Sequence, residues 1–112
     1  MSATYVSNLV INTGEDFTQQ FTLQSADNSS LDLTNYTASS QLRKHPGSST
    51  ATDFTTLISE PPTLGVITIK LTSSQTINLK PGRHVYDVVI ERSGFKSRVI
   101  EGSVIIRQGV TR

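Results

Sequence analysis

Between Leu79 and Gln108 the chain carries two alternating apolar runs joined by one tight turn, and no other stretch limits the fold so strongly. Pro81-Gly82 punctuates its start, because proline fixes φ and glycine accepts positive φ. From His84 to Arg92, Tyr86, Val88 and Ile90 fall on one face, while Val85, Asp87, Val89 and Glu91 fall on the other. That is the period of a half-buried strand. Ser93-Gly94 is a hairpin signal between two such runs. The return run, Arg98 to Arg107, sets Ile100, Gly102, Val104 and Ile106 on one face and Val99, Glu101, Ser103, Ile105 and Arg107 on the opposite one. Two long paired strands are a template for a sheet. They carry no chemistry of their own.

The rest of the chain agrees with an all-β reading. Serine and threonine number 15 each; threonine with valine and isoleucine favours strands, and serine with glycine, asparagine and aspartate favours turns. Leu9 to Ile11 reads as a short strand ended by Asn12-Thr13-Gly14-Glu15-Asp16. Phe17, Phe21 and Leu23 alternate with Thr18, Gln20 and Thr22, leaving Gln19 as one polar inward position. Ser25 to Ser30 reads as a hairpin loop, after which Leu31 and Leu33 resume the apolar pattern. Tyr36, Ala38, Ser40 and Leu42 share a face of a third main strand. Lys44 to Asp53 loses all periodicity and is the longest expected loop. Phe54, Thr56 and Ile58 begin another strand, stopped by Glu60-Pro61-Pro62, and Val66 to Leu71 forms the next. Thr72-Ser73-Ser74-Gln75 has the capping-box pattern for a single helical turn.

About seven strands, with turn signals every 8 to 12 residues or so, predict two packed antiparallel sheets. The expected architecture is an Ig-like β-sandwich of about seven to eight antiparallel strands over residues 8–112, preceded by a flexible N-terminal arm at 1–7. A partly closed barrel is the alternative. Pro81-Gly82 followed by Tyr86 resembles the tyrosine corner of immunoglobulin-like domains, where the phenol bonds nearby backbone; an ordinary core-edge tyrosine is the other reading.

Length and composition set outer bounds. A chain of 112 residues is one domain. The absence of cysteine rules out disulfides and thiolate metal sites. The first twenty or so residues have no basic start followed by an apolar block, so no secretory leader is expected, and no apolar run approaches the roughly 18 residues of a membrane helix. These features predict a soluble protein made in a cytosol. Ten basic and nine acidic residues are scattered, without the like-charge blocks of a nucleic-acid or membrane-surface binder.

Searching for chemistry yields little. His45 lies in the polar loop and His84 starts a strand beside Arg83, neither at metal-ligand spacing, and both read as exposed or edge histidines. No serine stands in a Gly-x-Ser-x-Gly setting. Asp27-Asn28-Ser29-Ser30-Leu31-Asp32 is oxygen-rich but lacks the ligand spacing and mid-loop glycine of a calcium-binding EF-hand loop. Lys96, Arg98, Arg107 and Arg112 are interleaved with Glu91 and Glu101, which breaks any basic stripe. No catalytic residue, metal ligand or cofactor is expected.

Taken in order, the motifs resemble those of small virion modules. Asn12-Thr13-Gly14-Glu15-Asp16-Phe17, Leu31-Asp32-Leu33-Thr34 and Leu42-Arg43 are similar to the first half of β-sandwiches in tailed phages. Gly65 to Thr72, Leu79-Lys80-Pro81-Gly82, Tyr86-Asp87-Val88 and Ile100-Glu101-Gly102-Ser103-Val104 are similar to their second half. The families are the N-terminal domain of BppU-type baseplate upper proteins and the LtfC-like tail-fibre and collar sandwiches; the loop from Lys44 to Asp53 has no counterpart in that pattern. The resemblance implies a non-enzymatic virion protein of the tail, baseplate or collar, assembled in the host cytoplasm. It would act by contact with other virion structural proteins in a symmetric multi-copy array, with no nucleic-acid or membrane partner. A capsid decoration protein and a fibronectin-like adhesion module are the competing readings. Expected contact residues are Tyr5 and Val6 in the N-terminal arm, Lys44, His45 and Pro46 in the long loop, and Arg107 and Arg112 near the C-terminus.

Overall fold

The computed structural model describes residues 5–25 and 29–110. The expected hairpin is its longest feature. Strands β8 (Gly82–Arg92) and β9 (Phe95–Arg107) pair antiparallel. Ser93 and Gly94 at the turn both have positive φ, 54° and 83°, as a two-residue turn matched to strand twist requires. Seven more strands complete two sheets: β1 (Tyr5–Val6), β2 (Leu9–Asn12), β3 (Phe17–Thr22), β4 (Thr37–Arg43), β5 (Thr52–Asp53), β6 (Thr55–Ile58) and β7 (Val66–Leu71). The larger sheet runs β1-β9-β8-β4-β5, with β2 also on β9, and the smaller runs β3-β7-β6.

An all-β chain in two sheets of mainly antiparallel strands matches the coarser expectation. Three details differ. First, β1 and β2 run parallel to β9, Tyr5 facing Ile100 and Leu9 facing Val104, so the sheets are not wholly antiparallel. Second, residues 5 to 7 are not a loose arm: Tyr5 and Val6 pair with β9, and the Ser7 amide donates to the Glu101 carbonyl at 2.9 Å. Residues 1–4 lie outside the described residues. Third, the aperiodic loop is shorter than expected, because Thr52–Asp53 forms β5 against Leu42 and Gln41.

The core fills the space between the sheets. Tyr86, Val88 and Ile90 of β8 are buried, as alternation requires, against Ile67, Ile69 and Leu71 of β7. Alternation fails on β9. Val99 and Ile100 are both buried, at 1% and 0% exposure, because the register shifts between Val88, opposite Ile100, and Val89, opposite Arg98. Val99 is the extra residue of a bulge, which turns inward a side chain that strict alternation sends out. Phe54, where the chain passes from β5 in one sheet to β6 in the other, packs with its ring centroid 6.1 Å from that of Phe17, tilted, and 6.3 Å from that of Tyr86, edge-on. Leu33 is buried without belonging to a strand.

The helical turn α1 (Ser73–Thr76) has the expected capping box, with the Gln75 amide donating to Thr72 Oγ1 and the Thr72 amide to Gln75 Oε1. It locks the turn between β2 and β3. Thr76 Oγ1 donates to the Glu15 carbonyl and accepts from the Gly14 amide, and Asp16 Oδ1 accepts from the Ser73 amide.

Between β1 and β2 the chain crosses closely over Gly102. A Cβ added at Gly102 would sit 2.1 Å from the Ser7 carbonyl oxygen and 2.8 Å from its carbon. Asn8 Oδ1 then accepts from the Ser103 amide at 3.0 Å, standing in for a strand carbonyl. Backbone cannot yield as a side-chain tip does. Gly102→Ala is therefore expected to lower stability by about 2 kcal/mol or more, read as a lower urea midpoint, with lost amide-exchange protection concentrated in β1 and β2. Unchanged protection there would contradict the close approach.

Candidate functional site

Side chains of β4, β8 and β9 that face away from the core line a trough of about 720 Å³. Register builds its floor in two rows. Gln41, Asp87 and Glu101 lie side by side across three strands with Val6 beyond, and Arg43, Val85 and Ser103 form the next row. Val6 and Asn8 rise on one side and Pro46 on the other. The walls thus come from the N-terminal strand and the loop after β4, segments far apart in sequence.

At one end, Arg98 Nε lies 3.3 Å from Asp87 Oδ2 and its Nη1 lies 3.2 Å from Glu101 Oε1. These groups are substantially exposed, so each pair contributes no more than about 1 kcal/mol. Along the β4 side, Gln41 Nε2 donates to Asp53 Oδ1 at 2.7 Å, and its Oε1 accepts from Arg43 Nη2 at 2.9 Å. Arg43 Nη1 also donates to the Ser48 carbonyl, tying the loop after β4 to the strand. Lys44 Nζ donates to the Arg83 carbonyl at 3.3 Å. The arrangement can hold and orient a polar guest. It does not bring a nucleophile, a base and an acid to one point, and among the described residues no three His, Cys, Asp or Glu side chains group to hold a metal ion.

Tyr86 lies beneath the floor and has a different role from the one its sequence context resembled. Its hydroxyl donates to the Ser7 carbonyl at 2.6 Å, a partner in the N-terminal segment and not the local upstream backbone of a tyrosine corner. Burial pushes its phenol up to about 12.

Of the expected contact residues, Val6 and Pro46 line the trough, whereas Lys44 does not line it and bonds the Arg83 carbonyl. His45 is exposed in the same loop but does not line it. Tyr5 bonds through its hydroxyl to the Gln24 carbonyl at 3.4 Å. Arg107 is exposed at the end of β9, beyond the trough, and Arg112 lies outside the described residues. His84 is not an exposed or edge histidine: it is buried at 7% exposure, and its Nε2 donates to the Lys80 carbonyl at 2.8 Å. In the oxygen-rich loop, Asp27 and Asn28 lie outside the described residues. Asp32 is engaged locally, its Oδ1 accepting from the Thr34 hydroxyl and amide, which lower its carboxyl below the usual range. Sequence reading missed Gln41, Arg43, Arg83 and Asp87. Alternation had placed Asp87 on the solvent face, and the missing signal was the register across strands.

No protein-family model and no curated protein matches the chain. Among solved structures, it is similar to InlP of Listeria monocytogenes, with TM-score 0.50 and 15% identity, covering 95% of this chain and 28% of that one. It is also similar to a family 123 glycoside hydrolase from Clostridium perfringens that acts on glycolipid glycans, with TM-score 0.48 and 13% identity, covering 96% of this chain and 23% of that one. The chain spans about a quarter of the length of each. The likeness to InlP is one of fold, and fold alone does not specify function.

Tyr86→Phe is expected to cost about 1 kcal/mol near neutral pH through the lost bond to Ser7. The folded-state pKa lies above the unfolded one, so the wild-type phenol stabilises fully below pH 10 and loses that contribution as pH climbs toward about 12. The stability gap between wild type and variant should therefore close near pH 11, as read by urea midpoints at each pH. A gap constant to pH 12 would contradict a buried, bonded phenol.

Proposed function

We propose that this chain is a non-enzymatic structural module that works by protein–protein contact, as a component or adaptor of the tail, baseplate or collar of a tailed-phage virion. The finer architecture that goes with this reading is an Ig-like sandwich. The observation that carries the contact reading is the meeting of two expected contact segments, around Val6 and Pro46, on the two sides of one trough. The side chains between them are tied to one another, Arg98 to Asp87 and Glu101, and Gln41 to Arg43. Such a surface is suited to binding and not to proton transfer, which needs a positioned acid or base within reach of a reacting group. The ordered motifs from Asn12 to Val104 supply the virion assignment, and assembly in the host cytoplasm follows from it.

Purified phage particles encoding the polypeptide should contain it at fixed stoichiometry. Imaging of particles carrying a tagged copy should place added density in a ring at the tail. Density spread over the head lattice would instead identify a capsid decoration protein. Particles lacking the polypeptide altogether would overturn the virion assignment, and substrate turnover by the isolated chain would overturn the non-enzymatic one.

A further inference from the structure

We propose that the trough corner formed by Arg43 and Arg83 binds a carboxylate presented by an extended acidic segment of a partner protein. The inference rests on the contact reading above and names the chemistry of the partner. Arg43 faces Val85 across β4 and β8, and Arg83 is two residues from Val85 on the same face. Diagonal neighbours of this kind have Cβ atoms about 7–8 Å apart, so two long guanidinium side chains can close on one carboxylate with the fork geometry that such groups favour. Arg43 is already oriented by the Gln41 side chain and the Ser48 carbonyl, which reduces the ordering cost of binding.

Neither of these cations contacts a carboxylate among the described residues, whose ion pairs belong to Arg98. Gathered cations without counter-charge repel one another in the free chain and favour an anionic guest. The opposite end of the trough carries Asp87 and Glu101, two carboxylates sharing one arginine. The face is therefore polar along its length, and an acidic group is directed to the Arg43 and Arg83 end. Strands β1 and β4 lie three strand spacings apart, about 14 Å. That width, with the apolar Val85 between the charged ends, admits an extended chain and is larger than a small free anion needs.

The test uses the whole chain and a fluorescein-labelled oligoglutamate of about ten residues, with binding read by anisotropy at low ionic strength. Wild type should bind. Arg83→Glu should weaken binding by about tenfold or more, and Arg83→Lys should retain most of it. Lys70→Glu, the same change of charge at an exposed position of β7 in the smaller sheet, should stay within about twofold. Among the described residues the Arg83 side chain makes no hydrogen bond or ion pair, and circular dichroism should confirm that its variants remain folded. No binding by wild type, or equal loss from Arg83→Glu and Lys70→Glu, would overturn the proposal. Displacement of the peptide by inorganic phosphate at equal concentration would overturn it in favour of a small-anion site. Failure here while the polypeptide is present in virions removes the acidic-segment proposal alone. Binding here while virions lack the polypeptide removes the virion assignment alone.

Discussion

Backbone pairing along β9 is the constraint on which the larger sheet depends. One side of this strand is paired with β8 over most of its length, and the other side carries both β1 and β2. Every strand of that sheet is therefore attached to β9 directly or through β8. An edge strand is ordinarily a hazard, since its open amides and carbonyls invite another chain. Here the N-terminal segment covers that edge of β9, and Gly102 is what allows Ser7 to approach closely enough for the Tyr86 hydroxyl to reach it. The parallel pairing is a consequence of the covering: the segment enters at the Ile100 end and leaves at the Arg107 end before crossing to the smaller sheet.

Most of the fold was legible because alternation, turn residues and caps agree with one another. The β8–β9 hairpin, its Ser93-Gly94 turn, and the Thr72–Gln75 capping box are all local features, and local chemistry determines them. What stayed hidden depends on distant partners. Tyr86 looked like a residue bonded to nearby backbone, and its hydroxyl instead bonds a carbonyl 79 positions away. The inward turn of Val99 requires a bulge, and a bulge is defined only against the opposing strand. His84 looked like an edge residue until the Lys80 carbonyl and the closing sheets enclosed it.

The trough follows the same division. Alternation placed Asp87 and Glu101 on the solvent side, while their meeting through Arg98 comes from register and from the bulge that brings Arg98 opposite Val89. Val6 and Pro46 were singled out as parts of separate segments, and only the order of strands places them around one depression. The charged groups are exposed, so they add little to stability. Their arrangement matters for what can lie on the face.

The clasp between the first and last strands also orders events in time. Asn8 meets Ser103 across 95 positions of chain, and long loops of this kind must close before their contacts repay the entropy spent. While the polypeptide is being synthesised, Leu9 and Ile11 have no β9 to lie against until residues near 104 to 106 have emerged. Completion of the larger sheet must therefore wait until almost the whole described chain has left the ribosome.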